Sequence, residues 1–185
     1  MKTIAFITRV HPKRPEMLKI CIDSVKAQTV DDYIHILHRD DKTEFGYGRP
    51  RADQSLIRVS SINARYVMIL DDDDMLIDPN FVKAFREVVN KSNLEIVFFK
   101  GYINAGGTLP KDGYWGQAPR RRHIASFCLA VRLDIWKKYI HEFGYGDWKF
   151  ISVCYENTKK HFWLDRMVAK TQKRPGDGLG ECEHK

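Results

Sequence analysis

The stretch Tyr66-Val67-Met68-Ile69-Leu70-Asp71-Asp72-Asp73-Asp74 decides how the rest of the chain is read. An unbroken apolar run over Tyr66–Leu70 is the pattern of a strand buried on both faces, as in parallel sheets. Four carboxylates follow it without a spacer. Such a strand delivers its acids to one edge of a sheet, where like charges repel unless a cation or water compensates them. Hard carboxylate oxygens suit Mg²⁺ or Mn²⁺, which typically combines one or two protein carboxylates with substrate phosphates. The competing reading is a solvated acidic turn that caps the following helix through Asp78 or Asn80.

Working outward, the first hundred residues alternate between two periods. Thr3–Thr8 is short and β-rich. Pro15 opens a segment whose apolar residues Met17, Leu18, Cys21, Ile22 and Val25 share one helix face. Tyr33–His38 returns to strand character, and Arg51–Asn63 is a weaker helix carrying Leu56, Ile57, Val59 and Ile62. Pro79 begins another helix, with Phe81, Val82, Phe85, Val88 and Val89 near one side, and Glu95–Phe99 is a fourth strand. This β-α-β-α-β-α-β order predicts a mainly parallel sheet flanked by helices, an α/β domain. Ligands of such sheets bind where the strands end, so residues just after each strand are the ones to examine.

Beyond residue 100 the pattern changes. Ile103–Trp115 is rich in turn residues and predicts a hairpin or mobile loop. Ile124–Val131 reads as a strand and Leu133–Tyr139 as a short helix. Gly144-Tyr145-Gly146 then breaks the chain before Asp147 opens another helix. Residues 172–185 read as a flexible basic tail, leaving one domain over residues 1–171.

Composition sets outer limits. The chain has 185 residues, 43% hydrophobic and 30% charged, enough for one soluble domain with its own core. No apolar run approaches the roughly 20 residues needed to span a bilayer. The N-terminus lacks the apolar region and cleavage site of a signal peptide, so a cytoplasmic protein is expected. Cys21, Cys128, Cys154 and Cys182 show no CxxC spacing, which leaves zinc and redox motifs unsupported, and the apolar neighbours of Cys21 and Cys128 predict reduced core thiols. A formal net charge of +7 favours polyanions in general, among them nucleic acid, anionic lipid and diphosphates.

Three further groups could carry chemistry. Asp40-Asp41 follows the second strand and should share the edge with the end of the first, Thr8-Arg9-Val10-His11. Carboxylates there can accept hydrogen bonds from a nucleobase while His11 stacks on its ring; the alternative is a polar turn. Arg9, Lys13 and Arg14, with Arg49 and Arg51, offer guanidinium or ammonium groups to phosphate oxygens. Asp147 is either a helix cap or a general base beside Trp148.

Taken together, these pieces resemble the family 2 glycosyltransferases of GT-A fold. The resemblance rests on Ile4-Ala5-Phe6-Ile7-Thr8-Arg9, on Ser24-Val25-Lys26-Ala27-Gln28-Thr29, and on Leu70 with its four aspartates. Gly146-Asp147-Trp148 and Ile124–Trp136 match the acceptor-side half. It covers roughly residues 1–165. The family implies a Rossmann-like, mixed, mainly parallel sheet, with residues 1–100 binding the nucleotide-sugar and residues 101–171 carrying acceptor and base. It implies Asp71 and Asp73 as metal ligands for Mn²⁺ or Mg²⁺ in a DxD pair, and Asp147 as catalytic base. It implies Asp40 as the residue that binds the nucleotide's base, flanked by Thr8 and His11; Arg9, Arg51 and Asp72 complete the expected nucleotide-binding set, with Asp72 and Asp74 otherwise supporting or merely solvated. The implied partners are a UDP- or GDP-sugar donor and a glycan or lipid-linked acceptor. No nucleic acid is expected, and the basic surface allows peripheral contact with a membrane.

The sequence departs from that family in two places. Asp40-Asp41-Lys42-Thr43 stands where Asp-Asp-Gly-Ser is common, and Gly146 replaces an acidic residue before the base. The glycine-bearing segment Asp177–Glu181 could close over the diphosphate, and Arg166 or His161 could reach phosphate or metal. Three alternatives remain open, one of them a degenerate transferase that binds nucleotide-sugar without turnover. A sugar-phosphate nucleotidyltransferase would need a glycine-rich phosphate loop after the first strand, and Thr8–Pro15 has no glycine. A non-catalytic binder would use Arg120-Arg121-Arg122 and the tail on polyanions, without any nucleic-acid motif around them.

Overall fold

A computed structural model describes residues 1–39, 56, 59, 61–104 and 106–172. In chain order the elements are β1 (Lys2–Val10), α1 (Pro15–Lys26), β2 (Tyr33–Arg39), β3 (Ala64–Ile69), β4 (Asp74–Leu76) and α2 (Phe81–Lys91). They are followed by β5 (Ile96–Ile103), β6 (Gly107–Leu109), β7 (Leu129–Arg132), α3 (Leu133–Tyr139), α4 (Asp147–Glu156) and β8 (His161–Thr171). Two 3₁₀ segments, Ser126–Cys128 and Ile140–Tyr145, lead into β7 and towards α4.

The strands form one mixed sheet in the order β2-β1-β3-β7-β5-β8-β4, with β6 hydrogen-bonded to β5. β1 runs parallel to β2 and β3, and β5 parallel to β8. β7 runs antiparallel between β3 and β5, and β4 antiparallel to β8. The expected mainly parallel α/β sheet is therefore present, with short reversed strands inserted into it. The C-terminal ends of β1, β3, β5 and β8 share one edge.

Side chains two residues apart share a face of a strand, and β1 shows what each face meets. Phe6 packs on Phe81 at 6.3 Å, and Phe81 in turn on Phe99 at 4.9 Å, so that face is covered by α2. Thr8, on the same face, meets Cys21 of α1. The opposite face of β3, Val67 and Ile69, meets Leu129 and Val131 of β7 with Trp136, Phe143 and Phe150. Ile4, Ala5, Phe6 and Ile7 are all fully buried, each large one contributing about 1.5–3 kcal/mol of apolar burial.

Several expectations are refined. The strand expected at Ile124–Val131 is a 3₁₀ turn followed by the shorter β7, because Cys128 N–H bonds back to Ala125 O at 3.0 Å. The turn-rich Ile103–Trp115 begins as a hairpin, β6 folding back on β5. β8 falls where no strand was expected. Its residues His161–Thr171 include Lys, Asp and Arg, and its register with β5 shifts near Lys100, so no clean alternation marks it. The weak helix over Arg51–Asn63 lies largely outside the described residues, though Leu56 within it is fully buried.

Gly101 lets the 3₁₀ turn lie against β5. A Cβ there would stand 2.3 Å from Phe127 Cε2 and 3.2 Å from Cys128 Sγ. Gly101→Ala should therefore cost about 1–3 kcal/mol through overpacking, measurable as a lower midpoint in urea. An unchanged midpoint would show that the Phe127 ring yields freely.

Candidate active site

The acidic run closes a turn beyond β3. Asp74 N–H donates to Asp71 O at 2.9 Å, which places Asp72 and Asp73 at the turn's centre and brings Asp71 and Asp74 together. One oxygen from each of Asp71, Asp73 and Asp74 can lie within 4.8 Å of the others. A compact set of hard oxygen donors fits a divalent cation such as Mg²⁺ or Mn²⁺. The turn is not a solvated one: Asp72 is 0% exposed, Asp73 5% and Asp74 4%.

Burial of adjacent carboxylates requires compensating charge. Arg9 supplies it at Asp71, its Nε donating to Oδ1 at 2.7 Å and its Nη2 to Oδ2, a two-pronged contact. The same guanidinium lies 5.5 Å from the Phe143 ring centroid, on the face that covers Ile7 and Ile69. Arg14 Nη1 donates to Asp73 Oδ2 at 3.0 Å and lies 3.6 Å from Asp72 Oδ1. His11 N–H donates to Asp72 Oδ2 at 2.6 Å. Asp74 has its proton affinity pushed well above the usual carboxylate range, chiefly by burial and next by the charge of Asp71.

Two more devices fix the run. Gln172, just past β8, donates its backbone N–H to Asp73 O at 2.7 Å, and its Nε2 to Asp74 O at 2.8 Å and Met17 O at 3.1 Å. The segment after the run is clamped by the end of α1. Ser24 Oγ accepts Leu76 N–H at 3.0 Å, and Gln28 Nε2 donates to Asp78 O at 2.8 Å while its Oε1 accepts Val82 N–H at 3.0 Å. Gln28 thus satisfies a first-turn donor of α2, which has no side-chain cap from Asn80. This is the physical content of the Ser-Val-x-x-Gln-Thr pattern.

Several residues sit differently from their sequence reading. Thr8, expected beside a nucleobase, is fully buried; its hydroxyl donates to Leu70 O at 2.6 Å and meets His35 Nε2 at 2.8 Å. Period two explains it, since Thr8 shares with Phe6 the face that the helices cover. Asp72, expected to bind nucleotide, is fully buried, and Asp74, expected to be supporting or solvated, joins Asp71 and Asp73. Arg9 commits two nitrogens to Asp71. Arg166 pairs with Asp78 at 2.5 Å, and His161 bonds Thr158 Oγ1 at 2.7 Å, so neither is directed at the run. Cys21 and Cys128 are buried thiols as expected, each pushed up to about 12 by desolvation. Asp40, Asp41, Arg49, Arg51, Cys182 and the segment Asp177–Glu181 lie outside the described residues.

Asp147 is the first residue of α4 and half-buried, its Oδ1 accepting Trp148 N–H at 2.8 Å. The preceding Gly146 has φ 98° and ψ 159°, a backbone shape that glycine alone adopts at little cost. That geometry explains why no acidic residue stands there. Sequence reasoning missed Gln172, placed in the tail, and His35, which had no signal beyond its strand.

No family model matches the sequence, and no curated protein matches it either. Solved structures do share the fold. TarS 1–349 of S. aureus in complex with UDP-GlcNAc superposes with a TM-score of 0.73 at 15% identity, over 97% of this chain and 60% of that one. TarS 1–349 with UDP gives 0.73 at 14%, over 96% and 62%. A glycosyltransferase involved in glycosylation of the major capsid of PBCV-1 gives 0.58 at 13%, over 93% and 94%. The chain has the GT-A-type glycosyltransferase fold, and spans about 60% of the TarS fragment.

His35 supplies a pH test of the core behind the run. Burial lowers its pKa to about 4 from an ordinary 6.5, so it stays neutral in the folded state while the unfolded chain takes up a proton. Its contribution is intact above pH 6.5 and is lost as pH falls from there towards 4. Chemical denaturation across that range should show the loss, and His35→Gln should flatten it. A slope unaltered in the variant would assign the effect elsewhere.

Proposed function

We propose that this chain is a metal-dependent, inverting family 2 glycosyltransferase. It moves a sugar from a nucleoside-diphosphate sugar, with UDP or GDP as the nucleotide, to an acceptor hydroxyl. The observation that carries this reading is the convergence of Asp71, Asp73 and Asp74 oxygens within 4.8 Å, in a fold shared with glycosyltransferases. Charge supports it as well. Among the described residues two guanidinium groups, Arg9 and Arg14, reach three of the carboxylates, Asp71, Asp72 and Asp73, which marks the turn as a place where positive charge is stabilised.

Asp71, Asp73 and Asp74 would hold Mn²⁺ or Mg²⁺, which when bound neutralises negative charge developing on the diphosphate. Asp147 takes the proton from the acceptor hydroxyl. The oxygen then attacks the anomeric carbon opposite the leaving group, and the bond to the diphosphate breaks with its electron pair on the departing oxygen. Arg9 links the two halves of this arrangement, bound to Asp71 and lying over Phe143, four residues before Asp147. Asp40 and Arg51 remain assigned to base and phosphate. The acceptor is a glycan or lipid-linked saccharide in glycan or surface polysaccharide synthesis. No described helix is long and apolar enough to cross a membrane; we place the enzyme in the cytoplasm, with peripheral membrane contact through basic residues.

Melting should rise by several degrees with UDP or GDP at about a hundredfold over Kd, and only with Mn²⁺ or Mg²⁺ present. No shift with any nucleotide-metal pair would sink the transferase reading. Asp147→Asn should keep that shift and reduce sugar transfer by about 10²–10⁴-fold. Transfer at the wild-type rate would remove Asp147 from the role of base.

A further inference from the structure

Arg9 and Arg14 hold the same acidic turn in different ways. Arg9 projects from the end of β1, grips both oxygens of Asp71 and rests on Phe143, so strand, carboxylate and ring all fix it. Arg14 stands in the connection between β1 and α1, immediately before Pro15, and its Nη1 straddles two carboxylates, 3.0 Å from Asp73 and 3.6 Å from Asp72. Asp73 also belongs to the oxygen triad that fits a divalent cation. A cation beside Asp73 would therefore face the guanidinium charge across one carboxylate, in a part of the protein where screening by water is weak.

We propose that Arg14 is an exchangeable counter-ion. It neutralises Asp72 and Asp73 while the turn is empty, and transfers to the donor's diphosphate when a divalent cation takes over the carboxylates. This rests on the transferase reading above and adds a residue-level coupling to it. A planar guanidinium suits both partners, since carboxylate and phosphate present similarly spaced oxygens. Arg14 opposes the cation when no nucleotide is present and supports the nucleotide once the cation is in place. Metal and nucleotide then bind synergistically, and the synergy passes through one side chain. Arg9 stays on Asp71 throughout.

The test compares wild type, Arg14→Gln and Arg14→Lys, each checked for folding by circular dichroism. Mn²⁺ binding alone is followed by the electron paramagnetic resonance of free Mn²⁺, and UDP binding at saturating Mn²⁺ by calorimetry. Arg14→Gln should bind Mn²⁺ alone about fivefold or more tightly than wild type, and UDP about fivefold or more weakly, within the usual range of coupling between sites. If Arg14→Gln does not fold, Arg14→Lys carries the test, with shifts of the same signs and smaller size. Weaker Mn²⁺ binding in the variants would make Arg14 a scaffold for the carboxylates and overturn the exchange. Unchanged UDP binding would overturn it equally. Wild type that binds neither Mn²⁺ nor UDP would overturn both this proposal and the transferase reading, whereas normal wild-type binding with unaltered variants overturns this one alone.

Discussion

Four carboxylates in succession at the end of a buried strand repel one another, and most of the structure around them contains that repulsion. Asp71 is held by Arg9, Asp73 by Arg14, and Asp72 by the backbone of His11. Burial and the neighbouring Asp71 charge disfavour ionisation of Asp74. Removing one partner of a buried charged pair generally costs about 3–5 kcal/mol, because the remaining charge is left uncompensated. The compensators come from the end of β1 and the β1–α1 connection, and the turn therefore depends on β1 lying beside β3. The register that pairs Ile7 with Ile69 sets Arg9 against Asp71.

The same dependence runs through the backbone. β3 stops at Ile69, and the segment beyond it has few sheet partners of its own until β4 meets β8. Ser24 and Gln28 of the helix end on one side, and Gln172 on the other, supply the missing hydrogen bonds to that segment. A buried peptide group without a partner is costly, so these side chains are as much a part of the site as the acids. They hold it in shape through its backbone.

Much of this was legible in the sequence where one physical signal dominated. Continuous apolar runs marked β1 and β3, helical spacing marked α1 and α2, and an acid run behind a strand marked the edge where three carboxylates converge. Legibility failed where two requirements overlapped. Thr8 looked like an edge residue because it ends an apolar run, yet the alternation of the strand turns its hydroxyl to Leu70 and His35. Asp74 was indistinguishable from its neighbours until the turn folded it back on Asp71. β8 gave no pattern because its register shift against β5 breaks the period on which strand recognition rests. Gly146 read only as a departure from the family pattern before Asp147; its φ of 98° shows a backbone demand.

Gln172 carries a consequence for how the molecule is made. Its bonds join residues separated by 98 and 100 positions in the chain, and it follows the strand that pairs with β4. Contacts of such long range form late, since a large loop must close before they can be made. During synthesis, β1, β3 and the acids themselves emerge well before the strand that secures them. Until β8 docks, the four carboxylates lack part of the frame that holds them together. Assembly of the charged turn is thus tied to the arrival of nearly the last described residues, and a partly made chain would present its acids without a finished site.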